Sequence, residues 1–91
     1  MTHELLTSLT PAEVLERAKA FFPDRAPHYA AFLEKEGESF ATFRGQGGEE
    51  LTVAAFGIDG ATRVRASSMF FDQLIGRFFS TLPAAVSEVG S

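Results

Sequence analysis

The sequence predicts an α+β fold of two layers, in which an antiparallel β-meander carries an N-terminal and a C-terminal helix packed on one face. Three observations indicate this fold. A capping box opens a helix near the N-terminus, an Asp-Gly pair joins two alternating segments in mid-chain, and a Phe-rich segment near the C-terminus has helical spacing. The meander has three strands, or four if residues 29–35 are extended.

The composition of the chain indicates one small domain that is held together by packing. The chain has 91 residues, a formal net charge of −4, ten Phe, and neither Cys nor Trp. We expect a single domain over residues 1–91, with mobile ends at 1–9 and 84–91. Without Cys there is no disulfide, thiol nucleophile or Cys-ligated zinc. Stability must therefore come from core packing or from self-association.

The first helix is predicted over residues 11–22. Thr10 is an N-cap residue, Pro11 suits the first helical position, and Glu13 completes a capping box. The apolar residues that follow form one stripe at helical spacing: Val14, Leu15, Ala18, Phe21 and Phe22. Pro23 ends the helix, because the residue before a proline is displaced from the α region.

Residues 29–35 are compatible with either a helix or a strand. Alanines and Leu33 favour a short helix that stops at Gly37. The alternative is a strand that turns back through residues 36–38 and pairs with the next segment. Propensity favours the helix slightly, although tertiary context often overrides propensity.

The centre of the chain predicts a meander with two distinct faces. If Asp59-Gly60 is a two-residue type I′ turn, Phe56 lies opposite Arg63 and Ala55 opposite Val64. One face is then apolar and forms the core: Leu51, Val53, Ala55, Val64 and Ala66. The other face is mixed: Glu50, Thr52, Phe56, Ile58, Arg63 and Arg65. If the Gly-rich turn that precedes this hairpin spans about three residues, Ala41 and Phe43 join the core face and Phe40 joins the other.

The C-terminal helix is predicted to follow an N-cap at Ser67-Ser68, to cover residues 69–82 and to end before Pro83. Its large apolar residues spread over roughly 180° of the helical wheel, which is wider than one sheet face requires. These residues are Phe70, Phe71, Leu74, Ile75, Phe78, Phe79 and Leu82.

Several function classes lack support in the sequence. A pI near 5.0 disfavours nucleic-acid binding, and no apolar run approaches the roughly 18 residues of a membrane span. We expect a cytoplasmic protein. His3 and His28 lack metal-site spacing, and the Gly-rich segment 44–48 leads into a strand instead of the helix of a phosphate loop. No nucleophile, base and oxyanion set can be assembled, so we expect neither catalysis nor a cofactor.

The leading hypothesis is a non-catalytic domain that forms a homodimer. A domain this small has difficulty covering so many large apolar side chains with its own core. We expect the surplus to be buried between subunits. The candidate interface residues are Phe40, Phe56, Ile58, Phe70 and Phe79.

The alternative hypothesis is a module that binds a small apolar or acidic ligand. An apolar pocket would lie between the sheet and the C-terminal helix, with an Arg near its mouth to hold an acid group. The candidate residues are Arg63, Arg65, Phe71, Leu74 and Phe78.

Overall fold

A computed structural model describes residues 2–24, 31–69 and 71–84 of the chain. Within those residues, five strands form one antiparallel sheet and two α-helices pack on one of its faces. The elements in chain order are β1 (Thr2–Thr7), α1 (Pro11–Phe21), a 3-10 turn (Phe22–Asp24), β2 (Ala31–Glu36), β3 (Phe40–Gly45), β4 (Glu50–Ile58), β5 (Ala61–Ser68) and α2 (Asp72–Ser80). The spatial order of the strands is β1-β5-β4-β3-β2. The α+β class is confirmed, while the expected number of strands is too low.

Strand β1 is the strand that the sequence does not predict. It runs antiparallel to β5, from Thr2 opposite Ser67 to Thr7 opposite Thr62. Thr7 is fully buried, and an isolated bridge joins it to Ala84. Residues 2–7 were expected in a mobile end, but they form an edge strand. Residues 85–91 of the other expected mobile end lie outside the described part of the chain.

Strand β2 resolves the ambiguity over residues 29–35 in favour of the extended reading. Residues 31–36 pair with β3, and a β-bulge interrupts the pairing between Leu33 and Lys35. The helix that propensity favoured is therefore wrong for these residues, and residues 29 and 30 lie outside the described part. Pairing with β3 explains the outcome, because every β2 residue after Ala31 is exposed and gains little from burial.

The central hairpin has the predicted register. Phe56 lies opposite Arg63, Ala55 opposite Val64, and Ile58 opposite Ala61. The turn residues have positive φ, 46° at Asp59 and 79° at Gly60, as a type I′ turn requires. The predicted core face is confirmed, because all of its members are 0–1% exposed: Ala41, Phe43, Leu51, Val53, Ala55, Val64 and Ala66.

Helix α1 begins as predicted and packs on this core face. The Thr10 side chain accepts a hydrogen bond from the Glu13 amide, and the Glu13 carboxylate accepts one from the Thr10 amide. Val14, Leu15 and Ala18 are the buried residues of the helix. The helix ends at Phe21, one residue before the predicted end, because Phe22 enters the 3-10 turn.

Helix α2 is shorter than predicted, because β5 continues to Ser68 and displaces the helix start to Asp72. The predicted N-cap at Ser67-Ser68 is wrong, because Phe71 is the N-cap residue; the Ser68 hydroxyl, at the end of β5, accepts a hydrogen bond from the Phe71 amide at 3.1 Å. The helix lies on the same face as α1. The Phe78 ring is 5.1 Å from that of Phe22, which is itself 5.1 Å from the ring of Phe43 in the sheet. Both helices therefore share one aromatic core.

The Asp59-Gly60 turn gives a test of the hairpin. We expect Gly60→Ala to lower the free energy of unfolding by about 1 kcal/mol, because a Cβ at positive φ is strained. Gly57→Ala is the matched control, since both glycines have open space where a Cβ would lie and Gly57 has no left-handed φ. Urea denaturation of both variants makes the comparison. Equal stabilities would contradict the assigned turn geometry.

Candidate functional site

The face of the sheet opposite the helices, here called the outer face, is the candidate site. No described helix lies on it, since α1 and α2 both join the core on the other side. Strand alternation and register assign its side chains. They are Thr2, Glu4 and Leu6 of β1; Arg63, Arg65 and Ser67 of β5; Glu50, Thr52, Ala54, Phe56 and Ile58 of β4; Phe40, Thr42 and Arg44 of β3; and Phe32 and Lys35 of β2.

Apolar side chains are concentrated toward the β4–β5 turn end of the outer face. Leu6, Arg63 and Phe56 form one row across three neighbouring strands. Leu6 is 46% exposed and Phe56 is 45% exposed, so neither has a cover within the described residues. The next row contains Ala54 and Phe40, which are partly buried. The apolar patch on this otherwise polar face consists of Leu6, Phe40, Ala54, Phe56 and Ile58.

The Phe40 ring packs against a glycine of the β2–β3 turn. A Cβ added to Gly37 would collide with the Phe40 ring, so the ring lies directly over that backbone. Gly37 also donates its amide hydrogen bond to the Phe40 carbonyl at 2.9 Å, which closes the β2–β3 turn. A side chain at position 37 would displace the Phe40 ring. The ring is therefore held in position at the border of the apolar patch.

A row of hydroxyl groups crosses the outer face beyond the apolar patch. Thr2, Ser67, Thr52 and Thr42 lie side by side on four strands. The Thr42 and Thr52 hydroxyl oxygens are 3.3 Å apart. An open groove of about 360 Å³ borders this row, with Gly48, Glu49, Glu50, Thr52, Ser67, Ser68 and Met69 around it.

The charged side chains of the outer face differ in how well they are paired. Arg44 forms a bidentate ion pair with Glu34, at 2.8 and 2.9 Å, and also lies 3.4 Å from Glu50. Arg65 lies 3.4 Å from Glu4 on β1. Arg63 has no ion pair with any residue that the structure describes. Cross-strand pairing therefore neutralises Arg65, and Arg63 is the basic side chain of β5 that has no acid partner among the described residues.

The Glu34–Arg44 pair should make stability depend on pH. The hydrogen bond from Arg44 holds the pKa of Glu34 below its ordinary value of 4.5. A lowered pKa in the folded state stabilises the fold above the unfolded pKa, and this contribution is lost as pH falls through the folded pKa. We expect Glu34→Gln to be less stable than wild type at pH 7 and equal to it at low pH.

Urea denaturation at a series of pH values measures this difference. Asp59→Asn is the control, because Asp59 has no ion pair among the described residues and Asn also tolerates the positive φ of that turn. A stability gap between Glu34→Gln and wild type that stays constant down to the lowest pH would contradict the role of the ion pair.

The structure does not bring the predicted ligand-binding residues together. Arg63 and Arg65 are exposed on the outer face, whereas Phe71, Leu74 and Phe78 are buried on the helix side. The sheet therefore separates the two groups. Phe78 is fully buried among aromatic rings, and Phe71 lies against Gly45 of β3. Phe71, Leu74 and Phe78 therefore belong to the described core.

Phe78 tests this packing. We expect Phe78→Ala to lower the free energy of unfolding by about 3–5 kcal/mol, because the substitution removes a fully buried ring and leaves a cavity. Phe79→Ala, which truncates a partly buried ring beside it, should cost less than half as much. Thermal or urea unfolding followed by circular dichroism compares the two variants. A Phe78 variant as stable as wild type would indicate unfilled space between helix and sheet.

Of the five predicted interface residues, three meet on one surface. Phe40, Phe56 and Ile58 share the apolar patch. Phe79 packs partly against the core, with its ring 6.3 Å from that of Phe78, and Phe70 lies outside the described residues. Two further exposed residues, Leu6 and Phe32, are not predicted from the sequence. No local pattern predicts the strand that contains Leu6, and propensity favours a helix for the segment that contains Phe32, which is 51% exposed.

The described residues offer little material for metal chemistry. Among them, no three His, Asp or Glu side chains are grouped so that they could hold a metal ion. His3 instead lies 3.0 Å from the Asp72 carboxylate, where it links β1 to the start of α2. His28 is outside the described part of the chain. No described helix is both long and apolar enough to cross a membrane.

Comparison of the chain with protein-family models, with curated proteins and with solved structures finds no match. Function is therefore inferred from the geometry of the chain.

Proposed function

We propose that this chain is a non-catalytic, self-associating domain that forms a homodimer through the outer face of its sheet. The observation that supports the proposal most directly is the one-sided arrangement of the layers. Both helices pack on the core face, while the opposite face keeps large apolar side chains exposed within the described structure. A clustered apolar patch with a polar rim is typical of a protein interaction surface.

The size of the outer face suits a dimer. Five strands at a spacing of about 4.8 Å, each about 20–30 Å long, give roughly 500–600 Å² of sheet surface per copy. Two copies packed face to face would bury about 1,000–1,200 Å², which reaches the lower range of specific interfaces. Stacked sheets with side chains interdigitating across about 10 Å are also a common arrangement in globular proteins.

The charges of the outer face favour a second copy as the partner. The face carries both signs, with Arg44, Arg63 and Arg65 near Glu4 and Glu50. A nucleic acid would need a cluster of unpaired basic side chains, whereas Arg44 and Arg65 of this face are ion-paired with Glu34 and Glu4. A face that holds both signs around an apolar centre can be complementary to itself, as a two-fold interface requires.

The competing proposal, a module that binds a small ligand between sheet and helix, has weaker support. It needs an open apolar cavity with an Arg at its mouth. Phe71, Leu74 and Phe78 are buried, and the sheet stands between them and Arg63. A thermal shift with a fatty or aromatic acid, together with a monomeric mass, would favour the ligand over the dimer.

Phe56 is the residue on which to test the dimer. We expect wild type to sediment as a dimer at micromolar concentration and Phe56→Glu to sediment as a monomer, because the variant places a charge in the centre of the apolar patch. The monomer should remain folded, since position 56 lies opposite Arg63 and is exposed in the single chain. Sedimentation equilibrium measures the mass, and circular dichroism checks the fold.

Leu33→Glu is the matched control for this experiment. Leu33 is 40% exposed, close to the 45% of Phe56, but it lies on the edge strand β2 opposite the buried Phe43, on the helix side of the sheet. We expect this variant to remain a dimer. A monomeric wild type at 100 times that concentration, or a Phe56→Glu variant that still dimerises, would overturn the proposal.

A further inference from the structure

We propose that the two subunits pack with their two-fold axis parallel to the strands and centred on β4, so that Arg63 of one subunit forms an ion pair with Glu38 of the partner subunit. This inference rests on the proposed function and specifies how the dimer is built. It follows from two exposed charges of opposite sign that flank Phe56, neither of which has an ion pair among the described residues.

Arg63 and Glu38 lie on opposite sides of Phe56. Arg63 is directly opposite Phe56 on β5. Glu38 is exposed in the β2–β3 turn, on the side of β4 away from β5. The Ala55 amide donates a hydrogen bond to the Ser39 carbonyl at 2.8 Å, which keeps this turn beside β4 next to Phe56. A positive charge, an aromatic ring and a negative charge therefore follow one another across the sheet.

A two-fold axis along β4 exchanges the two sides of that strand. Each Arg63 then faces Glu38 of the partner subunit, and the two Phe56 rings meet at the centre. In the next row, Arg65 faces the Phe40 ring of the partner subunit, an arrangement that suits a cation–π contact. Because this axis keeps every row at its own level along the strands, Phe56 and Ala54 of β4 each meet the same residue of the partner subunit. The same rotation forms the ion pair between Arg63 and Glu38 twice, once on each side of the axis.

A two-fold axis perpendicular to the strands is less favourable. With that axis at the level of Phe56, Arg63 of one subunit would face Arg63 of the partner subunit. Like charges placed opposite each other across an interface disfavour association. The hydroxyl row, which begins at Thr2 and lies away from Phe56, would extend beyond the overlapping area and reduce the buried surface. Charge and area therefore both favour the axis along β4.

Charge reversal tests this arrangement. We expect Arg63→Glu and Glu38→Arg each to weaken self-association about tenfold or more, because each homodimer then sets two pairs of like charges in contact. An equimolar mixture of the two variants should recover dimers with near wild-type affinity. In the mixed dimer, each acidic side chain faces a basic one. Charge coupling within a single chain would not produce this rescue by mixing.

Sedimentation of the single variants, their mixture and Arg77→Glu provides the measurement. Arg77 is exposed on α2, on the helix side, so its reversal should leave dimerisation unchanged. Failure of mixing to restore dimers, while wild type dimerises and Phe56→Glu does not, would overturn this arrangement and leave the dimer proposal intact. A monomeric wild type would overturn both.

Discussion

The structure depends on the burial of one face of an antiparallel sheet under two helices. Alternation along β4 and β5 sends apolar side chains to that face, where Phe22, Phe43 and Phe78 form a continuous aromatic cluster. Both helices are needed to cover this face. No described helix therefore covers the outer face. Phe56 is exposed because both described helices pack on the opposite face.

The parts of the fold that sequence predicts are those with local signals. The capping box at Thr10 places α1, and the Asp59-Gly60 turn sets the register of β4 with β5. Strands β1 and β2 lack such signals. In β1, Leu5 and Leu6 are adjacent and face opposite sides of the sheet, which hides the alternation. In β2, a bulge and a charged sequence obscure the strand, whose assignment depends on pairing with β3.

The candidate site also contains some residues that a local sequence signal predicts and others that only long-range pairing brings there. Phe40, Phe56 and Arg63 are assigned to the outer face by the hairpin register alone. Leu6 joins them only because β1 pairs with β5, a long-range contact that no local pattern reveals. The ligand-site hypothesis combines side chains from both faces of the sheet. Arg63 lies on the outer face, whereas Leu74 is buried on the helix side.

The central claim is that a second copy of the chain covers the outer face. The most direct measurement uses isotope-filtered NMR on an equal mixture of labelled and unlabelled protein, which detects only contacts between subunits. The account predicts intersubunit NOEs at the ring protons of Phe56 and Phe40. An absence of intersubunit NOEs at millimolar concentration, or NOEs confined to helix residues such as Phe79, would contradict it.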